Sequence, residues 1–424
     1  MTTIETAADL ESVEDFRLRA RAWLKDNYPR QERGAMPLRA AASEEEELAE
    51  IQQERDNQRL LFDGGFAGIC VAEEYGGQGL TPDHQRAFNE ESVGYAIPRL
   101  IQIPTFVPCM AVLLEFGTEE QKLRHVPAML KGEEIWMQFL SEPSGGSDVA
   151  AALTTAVRDG DEWVVNGSKV WTTGAWFSDY GLCLLRTNWD VPKHRGLSVF
   201  IIKIHQPGIE LHRIEMINGS KEFCQEFITD LRVPDSDRVG DVDQGWTVGT
   251  RWMFHEKNAM GGGSPFVTGT FHSNFGVDSG DPLIELARAT GRLDDPRTQE
   301  LVGEAAMMRL ARTGLSVRIT TAMRTGALPD NAAAIARLQS AVVAQRINTI
   351  SLEIAGANAA ATLPDDPWAE EGFNFLERQT SGIGGGTTEM ARNNISEKVL
   401  KMPREITHDK NMPFRDVPKG PPGN

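Results

Sequence analysis

The sequence predicts an α+β protein of several domains, in which a helical region is followed by a small antiparallel β domain and then by a second helical region. Three observations lead to this fold class. Apolar residues recur at helical spacing in the first third of the chain. Short runs rich in β-branched and aromatic residues begin after residue 137 and are separated by turn dipeptides. Helical spacing returns near residue 245 and extends to residue 401.

The chain has 424 residues, too many for one ordinary core, and its 40% hydrophobic and 25% charged residues are typical of a globular protein. Its formal net charge of −18 repels phosphate backbones, so we expect no nucleic-acid partner. We predict a helical domain at 1–133, a β domain at 134–242, a helical domain at 243–405 and a tail at 406–424.

The cysteines and the chain start bear on the cellular compartment. The four cysteines are far apart and form no CxxC pair, so neither a disulfide framework nor a metal site is expected. The first fifteen residues are acidic and lack the apolar region of a signal peptide, and no apolar run is judged long enough to cross a membrane. We therefore expect a cytoplasmic protein with reduced thiols.

The first helix is predicted from Val13, Phe16, Ala20 and Leu24, which recur at helical spacing, with Ser12 as its N-cap. A charged second helix is expected at 44–59. In the β domain, Asp159-Gly160 and Asn166-Gly167 are hairpin-turn dipeptides. The predicted strands are 154–157, 163–165, 169–173, 182–186, 197–204 and 223–233, and the predicted C-terminal helices are 298–324, 332–354 and 389–401.

The first candidate site combines a glycine loop with a strand. Small residues at Gly145-Gly146-Ser147 let backbone N–H groups approach a ligand closely, although such a loop alone is more often a surface turn. Trp171 and Thr173 are two residues apart on a predicted strand, so both face the same side. An indole beside a hydroxyl suits a flavin ring. On spacing alone, a core tryptophan beside a hydrogen-bonded threonine is the favoured alternative.

The second candidate is Glu256, which follows Trp246, Gly249 and Met253 at helical spacing and therefore lies on the apolar face of its helix. Loss of water there should raise the pKa of this carboxyl and make it a better proton acceptor. The alternative is a structural glutamate paired with a buried arginine. The glycines at 261–263 could end the helix or leave space for a ligand above Glu256.

The third candidate is the run Gly384-Gly385-Gly386-Thr387-Thr388-Glu389, which precedes the last predicted helix. A glycine loop at a helix N-terminus can receive negative charge or a carbonyl group. An ordinary N-cap after a flexible entry is the alternative, because glycine-rich loops are common.

Together these segments resemble the acyl-CoA dehydrogenase family, in order and over nearly the whole chain. Residues 68–79, GICVAEEYGGQG, are similar to a motif of its N-terminal domain, and 140–148, LSEPSGGSD, to its TEP-x-x-GSD signature with Ser141 in place of threonine. Residues 166–173, NGSKVWTT, resemble its NGxKxWITN segment. The stretches at 231–246, 383–392 and 399–404 resemble the join to the C-terminal domain and the bacterial ending.

The resemblance implies an N-terminal helical domain, a central β domain and a C-terminal four-helix bundle, with FAD as cofactor. Leu140, Ser141, Gly146 and Ser147 would then contact the flavin or the thioester. Trp171 would pack against the ring system and Thr173 would bond near the reactive flavin nitrogen, while Thr387 and Glu389 would approach the adenosine half or the ribityl chain.

The resemblance also locates the base. Many members carry a catalytic glutamate directly before the Gly-Thr of the C-terminal motif, where this chain has Gly385. Others carry it on the first long C-terminal helix as Glu-Arg, where this chain has Glu256-Lys257. We therefore expect Glu256 to remove the α-proton of an acyl-CoA, with a hydride leaving the β-carbon to give the trans-2-enoyl-CoA. Ser147, Gly385 and Gly386 would lie against the substrate, with the glycine backbone serving its thioester oxygen.

The implied partners are an acyl-CoA, an electron-transfer flavoprotein, and other subunits in a homotetramer or a heterotetramer with a related chain. The residues at 261–266 lie where the acyl pocket should begin and hint at a wide or ring-bearing substrate. Two alternatives stay open. The chain could be a largely structural partner in a mixed tetramer, or it could be a flavin oxidase or monooxygenase on the same fold.

Overall fold

The structure is a computed structural model that describes residues 10–30, 43–260, 264–268, 281–361, 368–407 and 409–418. Contacts divide the chain into two compact units. The first unit comprises Met1–Met216, Ser220–Asn274 and His408–Asn424, and the second comprises Ile217–Gly219 and Phe275–Thr407.

The first unit opens with a helical region. Its helices are α1 (Val13–Asn27), α2 (Glu44–Asp63), α3 (Pro82–Glu91), α4 (Arg99–Pro104), α5 (Ala111–Phe116) and α6 (Glu119–Leu130). The predicted N-cap of α1 is confirmed, because Ser12 Oγ accepts a hydrogen bond from the Asp15 amide at 3.1 Å. The periodic residues Phe16, Ala20 and Leu24 are fully buried in the core of this region.

Helices α4 and α5 are joined by the π-helical turn Thr105–Met110 into one apolar segment. Pro104 and Pro108 each lack an N–H donor, which accounts for the departure from regular α-helical bonding. The 18 residues Arg99–Phe116 are long and apolar enough to cross a membrane, so the expectation that no such run exists is wrong. Their apolarity has a structural cause, since 61% of the segment is buried inside the protein.

The middle of the first unit is an eight-stranded sheet with strand order β6-β7-β3-β2-β4-β5-β8, and β1 pairs with β4. Both faces of β4 are covered, with Leu182 and Leu184 in one apolar cluster and Cys183 and Leu185 in another. The strands are β1 (Trp136–Phe139), β2 (Thr155–Asp159), β3 (Glu162–Thr173), β4 (Tyr180–Arg186), β5 (Leu197–Lys203), β6 (Ile209–Ile214), β7 (Phe223–Pro234) and β8 (Arg238–Val239).

The sheet corrects two details of the predicted β domain. Asp159-Gly160 does begin the turn between β2 and β3, but Asn166-Gly167 lies inside β3 and makes no hairpin. Gly167 has a φ of 152° at a break in the pairing of β3 with β7, so this dipeptide forms a bulge. The sheet is also not wholly antiparallel, because β1 runs parallel to β4.

Helix α7 (Gly245–Met260) packs within the first unit, on β5 and on the segment Thr105–Met110. The second unit is helical, and α8, α9 and α10 form its core through Leu286, Leu301 and Ile350. Its helices are α8 (Pro282–Ala289), α9 (Pro296–Arg324), α10 (Ala333–Ala355), α11 (Ala357–Ala360), α12 (Ala369–Glu377) and α13 (Thr388–Asn394). The predicted last helix ends earlier than expected, because residues 395–399 continue as a π-helical turn.

Candidate active site

A buried ion pair joins the two sequence motifs of the β domain. The Lys169 ammonium group lies 2.8 Å from Glu142 Oε1, and both side chains are buried. Lys169 Nζ also donates to the Leu184 carbonyl oxygen at 2.7 Å. Burial by itself would raise the pKa of Glu142, but the charge and hydrogen bond of Lys169, together with hydrogen bonds from Leu153 and Thr154, outweigh burial and lower that pKa. Glu142 is therefore a carboxylate that fixes the loop after β1 to strand β3.

The same carboxylate holds the chain that follows the glycine loop. Its two oxygens accept hydrogen bonds from the amides of Leu153, at 2.6 Å, and Thr154, at 3.0 Å. The buried Arg186 donates to backbone carbonyl groups of this stretch, with Nη2 bonded to Ala150 O at 2.6 Å. Segment 149–154 is thus held by an anion at its amides and by a cation at its carbonyls.

The predicted cofactor residues before this segment are accessible. Gly146 and Ser147 are exposed, while Leu140 and Ser141 are half-buried. A Cβ atom built on Gly146 would lie 3.4 Å from Ser141 Oγ, which is an ordinary van der Waals distance, so the backbone of Gly146 passes close to that hydroxyl.

Trp171 projects from a second irregularity in β3. The pairing with β7 shifts between Val170 and Thr172, and Trp171 there has a φ of 65°. Its indole is 54% exposed and meets the ring of Phe223 edge to face, with the centroids 5.8 Å apart. Thr173 is half-buried. The bulge thus turns an indole outward from a strand whose neighbouring residues are buried.

A buried carboxyl on the neighbouring strand β7 accepts a hydrogen bond from β3. The Thr172 hydroxyl donates to Glu226 Oε2 at 2.9 Å, and Glu226 is fully buried on β7. Burial raises the pKa of Glu226 to about 8, because the hydrogen bond from Thr172 and the charge of Lys169 compensate burial only in part. Within the described part of the chain, Glu226 Oε1 has no hydrogen-bond partner.

Glu256 lies on the side of α7 that packs into the first unit, and its side chain is half-buried. Val248 and Trp252 of the same helix are buried, and Trp252 Nε1 donates to Gln138 Oε1 at 2.7 Å. Burial raises the pKa of the Cys109 thiol, and the negative charge of Glu256 adds to the rise. The predicted base therefore sits close to the buried turn Thr105–Met110.

An ion-pair cluster anchors α7 one turn before Glu256. Arg251 Nε and Nη2 donate to the Glu115 carboxylate at 3.0 and 2.5 Å. His255 Nε2 lies 3.4 Å from the same carboxylate, so this ring is turned towards Glu115. Burial lowers the pKa of His255 although Glu115 opposes that change. The side chain of Lys257 and the glycines at 261–263 lie outside the described residues.

The C-terminal glycine run lies in the second unit. Gly385 and Gly386 have φ values of 68° and 100°, which favour glycine. Arg337 Nη2 donates to the carbonyl oxygens of Gly384, at 2.5 Å, and Gly386, at 3.2 Å. Thr387 caps α13 by accepting a hydrogen bond from the Met390 amide. Glu389 is exposed and accepts from the Thr388 hydroxyl. The roles assigned to these residues stay predictions.

Sequence reasoning missed the ionisable residues that hold the loops and strand β3: Glu142, Lys169, Arg186, Glu226 and Arg337. Two of them had a detectable signal, because Glu142 and Lys169 lie within the two motifs of the β domain without an assigned role. The other three carry no local pattern. Among the described residues, no group of three or more His, Cys, Asp or Glu side chains is placed to hold a metal ion.

Three family models match the chain in order. They describe the acyl-CoA dehydrogenase N-terminal domain at residues 14–133, the middle domain at 138–229 and the C-terminal domain at 284–400. Acyl-CoA dehydrogenase IpdE1 of Mycobacterium tuberculosis (strain ATCC 25618 / H37Rv) is 33% identical over 405 residues, which cover 93% of this chain and 99% of that protein.

Solved structures agree with this match. The structure of the Tcur3481-Tcur3483 steroid ACAD has a TM-score of 0.70 at 26% identity and covers 96% of this chain and 100% of its own. The ChsE4-ChsE5 complex from Mycobacterium tuberculosis has a TM-score of 0.67 at 23% identity, with 95% and 100% covered, and supports the fold alone.

The chain has a helical region, a central sheet and a helical C-terminal region, with the loop and strand motifs described above. Together with the family matches, these features define an oxidoreductase with a three-part fold. The chain belongs to the acyl-CoA dehydrogenase family. Members of this family generally depend on FAD.

Proposed function

We propose that the protein is an FAD-dependent dehydrogenase that converts an acyl-CoA thioester to its trans-2-enoyl-CoA, with Glu256 as the base. The observation that carries the proposal is the half-buried Glu256 on α7. It stands in a chain that has glycine where other family members carry the base, at Gly385.

The side chains of the first unit are chemically suited to hold a flavin. The exposed indole of Trp171 offers a flat apolar surface, and Thr173, Ser141 and Ser147 offer hydroxyl groups. These residues would hold the flavin, and we propose Thr387 and Glu389 for its adenosine half or ribityl chain. When bound, FAD supplies the acceptor for the hydride.

The proton step belongs to Glu256. Its carboxylate takes the α-proton of the thioester, the electron pair of that C–H bond forms the new double bond, and the β-carbon releases a hydride. Glu256 acts in the ionised form, because only a carboxylate accepts the proton. The Arg251–Glu115 ion pair fixes the helix that carries Glu256. The backbone of Gly385 and Gly386 is proposed to donate to the thioester oxygen, where negative charge builds up.

The substrate class we propose is a CoA thioester with a ring-bearing acyl group of the steroid type. The match to a steroid ACAD over 96% of this chain supports this class. In the chain itself, the ring of Phe266 packs partly buried against the core that contains Trp252. This ring offers an apolar surface that suits a hydrocarbon acyl group.

Subunit contacts are proposed along α9. Met307, Leu310 and Val317 are exposed at helical spacing, and Leu310 is 77% exposed. Such an apolar stripe is typical of a protein contact, and we propose a second copy or a related subunit as its occupant. An electron-transfer flavoprotein is the proposed electron acceptor. A cytoplasmic location is proposed because Cys70, Cys109, Cys183 and Cys224 are free thiols.

The test is an anaerobic titration of the purified yellow protein with steroid and straight-chain acyl-CoA thioesters, followed by loss of flavin absorbance. Glu256→Gln should bind FAD normally but lose absorbance about 10²–10⁴-fold more slowly. The matched control is Glu120→Gln, an exposed carboxylate on α6, which should react like the natural chain.

Unchanged reduction of Glu256→Gln would exclude Glu256 as the base. A colourless natural protein would favour the structural-partner alternative. Rapid oxygen consumption by the reduced protein would favour a flavin oxidase or monooxygenase.

A further inference from the structure

The C-terminal strap, residues 409–417, packs on the β domain. It belongs to the first unit, and its Phe414 is 2% exposed. The Phe414 amide donates to Val191 O at 2.9 Å and the Arg415 amide to Trp189 O at 3.0 Å. The ring of Phe414 stacks on Trp189 with the centroids 5.4 Å apart. The strap is therefore bound by its backbone as well as by its side chains, although the sequence predicted only a tail here.

Phe414 covers one particular cation. The guanidinium carbon of Arg186 lies 4.1 Å from the centre of the Phe414 ring, at a cation–π distance. Arg186 is fully buried at the end of β4, so its charge lacks water around it. A cation–π contact stabilises a cation most when that cation is desolvated. The strap supplies the aromatic face for this contact through the ring of Phe414.

Arg186 in turn forms hydrogen bonds with the segment after the glycine loop. Its Nη2 donates to Ala150 O at 2.6 Å and its Nε to Ala152 O at 3.3 Å. Its Nη1 donates to Lys193 O at 2.6 Å, and Lys193 Nζ in turn pairs with Asp148 at 2.6 Å. The donor groups of Arg186 thus hold residues 148–152, directly or through Lys193, and these residues directly follow Gly146 and Ser147.

We propose that the C-terminal strap is a part of the cofactor site, in which Phe414 positions Arg186 and Arg186 fixes the loop that binds the flavin. The inference rests on the proposed function, since that function assigns the flavin to Gly146 and Ser147. Arg186 and Phe414 are positioning residues, because neither lies in the loop itself. Loss of the ring should loosen residues 148–154 and weaken FAD binding without touching the residues proposed to contact FAD.

The test uses the full-length chain with Phe414→Ala and Phe414→Leu. Leucine keeps most of the apolar packing and removes the aromatic face, so Phe414→Leu guards against a folding failure of the alanine variant. The matched control is Tyr95→Ala. Tyr95 is also a buried aromatic against a guanidinium, with Arg30 3.9 Å from its ring, but it belongs to the N-terminal helical region.

Two quantities are measured: the Kd for FAD by flavin fluorescence, and hydrogen exchange of the amides of residues 151–154 in the apoprotein. Phe414→Ala should raise the Kd about tenfold and speed exchange of these amides by a similar factor. Phe414→Leu should change both in the same direction. Tyr95→Ala should lower the melting temperature but leave both quantities as in the natural chain.

The inference is overturned if Phe414→Ala keeps the natural exchange rates, or if Tyr95→Ala weakens FAD binding as much as Phe414→Ala does. Natural values in Phe414→Leu would overturn the role given to the aromatic face. If the natural chain bound no FAD, the proposed function would fail, whereas the exchange comparison would still decide whether the strap holds the loop.

Discussion

Lys169 and Glu142 form a buried ion pair, with 2.8 Å between Nζ and Oε1, that ties the loop after β1 to strand β3. Glu142 follows Ser141 in the loop, and Lys169 lies two residues before Trp171 on the strand. Because Glu142 also binds two amides of the next segment, its charge organises the backbone on which the proposed cofactor residues stand.

Replacing Lys169 by methionine should destabilise the protein by about 3–5 kcal/mol, since Glu142 would be left as a buried charge without its cation. Urea unfolding followed by circular dichroism measures this change in the free energy of unfolding. Arg232→Met is the matched control, because Arg232 pairs with Asp159 and Glu162 on the exposed side of the same sheet and its loss should change stability little. Equal effects of the two substitutions would contradict the role of the buried pair.

Glu226 should make the stability of the protein fall as the pH rises. Its folded pKa of about 8 lies above the reference value of 4.5, so the folded state holds a proton that the unfolded state releases. The stabilisation is complete below about pH 4.5 and is lost as the pH rises through about 8, by up to about 1.4 kcal/mol per pH unit.

Glu226→Gln removes this titration. Its free energy of unfolding, measured by urea titration at several pH values, should therefore improve relative to the natural chain between pH 5 and pH 9. Glu142 keeps the opposite dependence in both proteins and cancels from the difference. A difference that does not vary with pH would show that Glu226 is ionised throughout this range.

Trp171→Ala should weaken FAD binding between about twofold and about tenfold, since it removes an aromatic surface from the proposed flavin site. The indole is already 54% exposed, so thermal stability should change little. Fluorescence titration of the apoprotein with FAD gives the Kd. Phe227→Ala, at an exposed aromatic on β7, serves as the control and should bind FAD normally. An unaltered Kd in Trp171→Ala would remove Trp171 from the cofactor site.

Several features could be read from local pattern because the physical cause is local. Helical spacing of Phe16, Ala20 and Leu24 predicted a buried helix face, and Ser12 predicted its cap. Spacing along α7 predicted that Glu256 would lie towards the interior. The turn dipeptide Asn166-Gly167 misled, since the positive φ values open to glycine serve a bulge inside a long strand as well as a hairpin turn.

The sequence by itself determined the family, the order of the helical and sheet regions, and the candidate base, because these depend on residue order and on helix and strand periods. Only the tertiary structure decided that Lys169 pairs with Glu142, that Glu226 is a buried carboxyl with a raised pKa, and that the strap covers Arg186. These contacts join residues from 27 to 228 positions apart. Their partners are fixed by chain packing and desolvation, which no local spacing encodes.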